Sequence, residues 1–288
     1  MARIVAAEPV APEVVRFRVE APRIATHRHP GQFVIVRVTP DGERIPLTIA
    51  DADPAEGTIT LVVQGVGYTT RSLNRLGPGD EIADVVGPLG EPTEIARFGT
   101  VVVVGGGVGT AIAYPTARAL IEAGNEVVAV VGARTADLLV YVDELEACGA
   151  EVRVCTDDGS RGRHGTVTDE LAELVEHGRP DRVFAAGPVP MMRAVAETTR
   201  PAGIPTVVSL NPIMVDGTGM CGGCRVVVGG RTRFACVDGP DFDAHAVDFD
   251  VLARRNAAYR DHERAEIARL AGGGACGPDT GTGREAAR

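Results

Sequence analysis

Thr100-Val101-Val102-Val103-Val104 runs into Gly105-Gly106-Gly107-Val108-Gly109, and then into Thr110 and an alanine-rich stretch that reaches Ala123. An uncharged valine run of this kind is what a parallel strand buried on both faces requires. The glycines permit a sharp turn, and the residues from Thr110 onward read as a helix. Strand, glycine loop and helix, in that order, are the context in which helix N–H groups and the helix dipole receive a pyrophosphate. The residues depart from strict G-x-G-x-x-G. With Gly105 and Gly107 in the first two places, Thr110 stands in the third, and a plain tight turn explains the same residues.

Downstream, 125–131, 151–156 and 182–186 are apolar runs of the same kind, with helical segments around 142–148, 167–176 and 191–200 between them. Strands alternating with helices predict a doubly wound parallel α/β sheet over 99–210. The second strand ends in Gly132-Ala133-Arg134 and offers no carboxylate to a ribose 2′-hydroxyl. Arg134 suits a 2′-phosphate or the face of an adenine, so this position does not separate NADH from NADPH. Asp157 follows the third strand, and Gly187-Pro188-Val189-Pro190-Met191-Met192 follows the fourth. Both fall at the carboxyl edge where open α/β sheets bind nucleotides, although solvated or structural turns would look alike.

Upstream, residues 1–98 read as a β-barrel of short Val/Ile/Thr-rich strands punctuated by Pro, Gly and Asp, with no helix expected before Thr69. Arg44-Ile45-Pro46-Leu47-Thr48 places a cation near a hydroxyl, a pairing suited to a phosphate and a polar ring edge. Gly65-Val66-Gly67-Tyr68-Thr69-Thr70 opens a helix with small and hydroxylated residues, a second candidate phosphate cradle. Each of these signals is weak in isolation.

Residues 211–250 carry Asp216, Cys221, Cys224 and Cys236 amid glycines, in the pattern D-x4-C-x2-C-x11-C. Plant-type [2Fe–2S] ferredoxins use C-x4-C-x2-C and a distant fourth cysteine, so Asp216 stands where a thiolate would. A carboxylate can ligate iron, as a harder donor. Structural zinc, with His245 as the nearest candidate histidine, and unligated buried thiols remain alternatives. Cys148 and Cys155 fall in the sheet region as small hydrophobes. A polar helix is expected over 249–271, with 251–271 taken as a separate segment. Residues 272–288, which include Cys276, are rich in Gly, Ala and Thr and read as a disordered tail.

The 288 residues suit roughly two domains. With 29 basic and 39 acidic residues the formal charge is −10, which argues against a nucleic-acid binder. The run 98–113 is too short to span a membrane, and the first residues lack the apolar core of a secretory signal. Cytoplasmic localisation is the expectation, since the cysteines have metal-ligand rather than disulfide-framework spacing.

Taken together, R-x-P-L-T, V-G-x-T-T, G-G-G-V-G-T, G-P-x-P-M-M and the trailing cysteine motif resemble the ferredoxin–NADP⁺ reductase superfamily. Within it the chain is most similar to the branch of dihydroorotate dehydrogenase electron-transfer subunits, and there to the small subunits of NADH-dependent reduced ferredoxin:NADP⁺ oxidoreductases. The resemblance runs in the same order from residue 1 to about 270. It implies that Arg44, Pro46, Leu47 and Thr48 contact FAD, with Gly67, Thr69 and Thr70 at its pyrophosphate. It places NAD(H) or NADP(H) against Gly105, Gly106, Gly107, Val108, Gly109, Thr110, Arg134, Asp157 and Gly187. It gives the [2Fe–2S] cluster to Asp216, Cys221, Cys224 and Cys236. The implied activity is electron transfer from NAD(P)H through FAD and the cluster to a partner, with no acid–base residue needed. That partner would be a larger flavin/iron–sulfur subunit similar to the glutamate synthase small subunit, in a heterodimer, with ferredoxin as a further partner. A dihydroorotate dehydrogenase, a sulfide or polysulfide dehydrogenase, and a zinc-stabilised nucleotide-binding regulatory module are the competing expectations.

Overall fold

Alternation of apolar and polar residues builds the first half of the molecule. In the strand Thr58–Gln64, Ile59, Leu61 and Val63 are buried while Thr60, Val62 and Gln64 lie half-exposed, the pattern of a sheet with one face on a core. The structure, a computed structural model, describes residues 1–271; the expected disordered tail 272–288 and its Cys276 lie outside them. The strands are β1 (Ala2–Ala11), β2 (Val14–Glu20), β3 (Phe33–Arg37), β4 (Arg44–Asp53), β5 (Thr58–Gln64), β6 (Glu81–Ile82) and β7 (Asp84–Leu89). They pair antiparallel in the order β6-β1-β2-β5-β4-β3-β7. The two edge strands are separated in sequence only by Ala83, which leaves the sheet a nearly closed barrel.

Two helices accompany the barrel. Helix α2 (Tyr68–Leu73) lies where the hydroxyl-rich stretch indicated. Helix α1 (Pro22–His27) corrects the expectation of no helix before Thr69. Proline at the first helical position supplies the φ angle a helix needs, and burial of Ile24 and Ala25 holds this single short turn on the barrel.

The second half is a sheet of described strands in the order β11-β10-β9-β8-β12-β13-β16. These are β8 (Thr100–Gly106), β9 (Glu126–Ala133), β10 (Glu151–Thr156), β11 (Arg163–His164), β12 (Arg182–Ala186), β13 (Thr206–Ser209) and β16 (Asp241–Asp243). All neighbours run parallel except β16, which pairs antiparallel with β13. Helices α3 (Gly109–Glu122), α4 (Val142–Ala147), α5 (Val167–His177) and α6 (Val189–Thr199) make the crossovers. The strand order reverses between β8 and β12, and open α/β sheets bind ligands at that kind of switch point.

The cysteine-bearing segment forms a hairpin, β14 (Arg225–Val228) with β15 (Arg231–Phe234), followed by β16 and helix α7 (Phe249–Asn256). Phe33 and Ile35 of the barrel, Val102 and Val104 of the sheet, Cys224 and Cys236, and Leu252 of α7 belong to one buried cluster. The polar helix expected over 249–271 is in fact two. Helix α7 ends at Asn256 and α8 (Arg260–Ala271) begins after a turn. Phe249 and Leu252 anchor the first, and apolar spacing then lapses, with Tyr259 exposed, so no core holds the intervening turn helical. Among the described residues, no helix is long and apolar enough to cross a membrane.

The connection from barrel to sheet rests on Asn125. Its Nδ2 donates to the carbonyls of Ala96 (2.9 Å) and Leu120 (2.8 Å), and its Oδ1 accepts from the N–H groups of Phe98 (2.6 Å) and Gly99 (3.1 Å). One buried amide thus satisfies four backbone groups of the linker and of the turn after α3. Asn125→Ala should cost at least about 1–3 kcal/mol, the penalty of one stranded buried polar group, and a thermal melt of the variant reads it directly.

Candidate functional site

The carboxyl edge of the parallel sheet faces the barrel across a cleft of about 880 Å³. Pro46, Leu47 and Thr48 of β4 and Thr70 of α2 form one wall, and Gly106 to Gly109, Arg134, Asp157 and Gly187 form the other. Met214, two residues before Asp216, also lines it. The structure therefore brings sequence-selected residues from both halves of the chain to one cavity.

The glycine loop is shaped by contact as much as by freedom. Gly107 has φ +55°, and a Cβ there would meet nothing. Gly109 lies against the end of β12, where a Cβ would stand 2.3 Å from the Ala186 carbonyl oxygen and 2.7 Å from the Gly187 Cα. This position must be glycine for α3 to start beside the β12–α6 turn. Gly105 and Thr110 sit behind the cavity rather than on its wall. A Cβ on Gly105 would meet the Thr110 Cα at 2.7 Å, and the buried Thr110 hydroxyl finds no hydrogen-bond partner.

Thr70, on the wall itself, and Gly67 and Thr69, off it, shape the barrel side of the cleft. Thr70 Oγ1 accepts from the N–H groups of Gly67 (2.9 Å) and Val66 (3.1 Å) and so fixes the turn into α2. Gly67 takes part through that bond. The Thr69 hydroxyl donates to the Glu43 carboxylate at 3.0 Å and is thereby engaged away from the cavity. Arg44 is exposed at the start of β4, paired across the ladder with Arg37.

Thr166, Ser209, Leu210 and Asn211 also line the cleft, although none of them belongs to a motif that stands out in the sequence. Thr166 was within reach of a local signal, since it forms a capping box with Asp169 at the start of α5. Ser209 to Asn211 arrive there only because β13 lies beside β12 and the Leu210 N–H donates to the Pro240 carbonyl at 2.9 Å.

In the cysteine loop, the Sγ atoms of Cys224 and Cys236 stand 3.1 Å apart and both residues are buried. Burial, reinforced by the adjoining Cys224 thiol, pushes the Cys236 thiol up. Cys221 is exposed and accepts at Sγ from the Gly223 N–H at 3.4 Å. The Asp216 carboxylate accepts from the N–H groups of Thr218 (3.0 Å) and Cys221 (2.8 Å). Those amides, Thr218 first, hold its carboxyl below the usual carboxylate range. Among the described residues, no three His, Cys, Asp or Glu side chains gather into a ready-made metal site. The donors nonetheless fit an iron–sulfur centre. Two thiols are in contact, a third lies on the same loop, and Gly217, Gly219 and Gly222 adopt positive φ that wraps the backbone tightly. His245, the candidate histidine for zinc, is engaged elsewhere, with Nε2 2.9 Å from Thr199 Oγ1.

The loop is also held against the barrel. A Cβ on Gly217 would meet Leu89 Cδ1 at 2.6 Å and Ile35 Cγ1 at 2.8 Å.

Comparison with known proteins agrees with this geometry. Residues 211–248 match the iron–sulfur cluster binding domain of dihydroorotate dehydrogenase B, and 103–197 match the oxidoreductase NAD-binding domain. The chain is 49% identical over 261 residues to a dihydroorotate dehydrogenase B (NAD⁺) electron transfer subunit homolog of Thermotoga maritima, with 91% of this chain and 92% of that protein covered. The chain belongs to the family of dihydroorotate dehydrogenase B electron-transfer subunits and their homologues. A second family member, the electron transfer subunit of Bacillus caldolyticus, is 40% identical over 76% of this chain and 87% of its own length. Among solved structures, a chain of the NADH-dependent reduced ferredoxin–NADP oxidoreductase, described in connection with flavin-based electron bifurcation, superimposes with a TM-score of 0.90. It is 48% identical, with 94% of this chain and 98% of that chain covered. Membership in this family establishes an oxidoreductase subunit with NAD-binding and iron–sulfur regions.

The two glycines make opposite predictions. Gly109→Ala should cost on the order of 1–3 kcal/mol through overpacking against fixed backbone and should weaken nucleotide binding. Gly107→Asn, a residue that tolerates positive φ, should melt close to wild type. Parallel thermal melts and NAD(P)H titrations distinguish the two.

Proposed function

We propose that this chain is the NAD(P)H-oxidising subunit of a larger electron-transfer complex. It would bind FAD in the barrel and a [2Fe–2S] cluster in the C-terminal loop, and act with a partner as an NADH-dependent ferredoxin:NADP⁺ oxidoreductase does. The observation that supports this most is the single cleft. Barrel residues 46–48, the Gly106–Gly109 turn and the approach to the cysteine loop at Met214 all border it. The close superposition on a chain of such an oxidoreductase points the same way.

In this reading Pro46, Leu47 and Thr48 hold the flavin ring edge, and Arg44 with the Thr70-capped turn holds its phosphates. Gly106 to Gly109 and Gly187 admit the nicotinamide nucleotide, with Arg134 and Asp157 at its far end. Gly105 and Thr110 set the turn from behind. Asp216, Cys221, Cys224 and Cys236 would hold the cluster, with Cys224 and Cys236 as its buried donors. Bound together, FAD and the cluster turn a two-electron hydride donor into a source of single electrons. The protein's share is to place the groups in order and to exclude water from the wall between them. The partner would be a larger flavin/iron–sulfur subunit, with ferredoxin as a further electron carrier.

The purified complex should release FAD on denaturation, and NADH or NADPH should bleach its visible flavin absorption under anaerobic conditions. A folded protein that releases no flavin overturns the reading of the barrel. A bound flavin that neither nucleotide reduces overturns the reading of the cleft.

Asp216 supplies a sharper test. A carboxylate has about four lone-pair sites, and the two amides occupy two of them, which leaves donors for iron. Asp216→Cys should keep the cluster and lower its potential, because thiolate donates more charge to iron. Asp216→Ala should weaken or lose it. Electron paramagnetic resonance with redox titration follows both. An unchanged spectrum and potential in both variants would mean that Asp216 only caps its turn.

A further inference from the structure

Helix α7 reaches back across 32 residues to touch the cysteine loop. Arg255 donates from a terminal guanidinium nitrogen to the carbonyl of Gly223 at 3.0 Å. Its Nε is buried and finds no hydrogen-bond partner. The next residue, Asn256, donates from Nδ2 to the carbonyl of Asn211 at 3.2 Å. Two successive side chains at the end of α7 thus hold the two ends of the 211–224 segment.

The Gly223 carbonyl belongs to the peptide that joins Gly223 to Cys224. In a trans peptide the N–H points opposite to the C=O. A guanidinium that fixes the Gly223 carbonyl therefore also fixes the Cys224 N–H, aimed to the other side. The preceding N–H, that of Gly223, already donates to Cys221 Sγ. One arginine thus fixes the peptide that carries the Cys224 N–H, the next along the backbone after the Gly223 N–H that serves Cys221. It also brings a guanidinium charge to the loop. Hydrogen bonds to cluster sulfurs and nearby charge are two of the influences that set an iron–sulfur potential.

We infer that Arg255 is a positioning residue of the iron–sulfur site: it locks the Gly223–Cys224 peptide and raises the reduction potential of the cluster. The charge favours the reduced state, which carries one more electron. This inference rests on the iron–sulfur reading above. Absence of iron from the anaerobically purified wild-type chain would sink that reading, whereas only the comparison of variants bears on Arg255.

The test uses the full chain with its partner, purified anaerobically as wild type, Arg255→Gln and Arg255→Lys. Iron and flavin contents are measured, and the cluster potential is titrated by electron paramagnetic resonance. Arg255→Gln should titrate at lower potential than wild type, with flavin content and flavin potential unchanged. Arg255→Lys, which keeps the charge and one donor, should restore most of the difference. Loss of iron from the Gln variant alone, with flavin retained and iron recovered in the Lys variant, supports the same role. A fully loaded Gln variant with the wild-type potential overturns it. Loss of iron and flavin together from both variants also overturns it, because the residue would then serve the fold at large.

Discussion

The reversal of strand order at β8 and β12 is the constraint on which the rest depends. Adjacent parallel strands send their crossover helices to opposite faces of the sheet, and a crevice opens between the two turns. The crevice stays open only if α3 can start hard against the end of β12. Gly109 permits this, because its missing Cβ leaves the space that the Ala186 carbonyl occupies. The barrel then needs only to present β4 and α2 to the same edge for a flavin-sized cavity to form. Asn125 holds the short linker between the two sheets through four hydrogen bonds from its side-chain amide to backbone groups.

The polar groups around the cleft divide by what they bond. Thr70 accepts from two backbone N–H groups and shapes the turn into α2, and Asp216 uses part of its carboxylate in the same way in the cysteine loop. Thr69 is held by Glu43. This division explains why residues close in sequence, such as Thr69 and Thr70, stand differently toward the cavity. The cleft is lined mainly by small and apolar residues with few charged ones, which suits redox cofactors that bring their own reactivity and ask the protein for placement.

Much of this was legible because the decisive signals are local. The valine run 100–104 and the glycines after it name their strand and turn without help from distant residues. The cysteine spacing does the same for the loop after Asn211. What stayed hidden was non-local or marginal. Helix α1 is a single turn whose stability comes from Ile24 and Ala25 packing on the barrel, and propensity over six residues carries little weight. The break between α7 and α8 follows from a missing core contact, which a polar sequence pattern does not reveal. Ser209 to Asn211 reach the cleft through strand order, and Arg255 reaches the cysteine loop through a helix docked 32 residues downstream. No spacing rule in the sequence links Arg255 to Gly223.

Ile35 is one side chain with two obligations. It belongs to the buried cluster that runs from the barrel through the sheet to Cys224 and Cys236, and it presses on Gly217 in the loop that carries Asp216. The barrel keeps a core of its own around Phe17, Ile49 and Leu61, but at Ile35 its wall and the cysteine loop share one packing contact. A side chain larger than hydrogen at position 217 has to displace Ile35, so strain introduced into the loop is passed into the barrel wall.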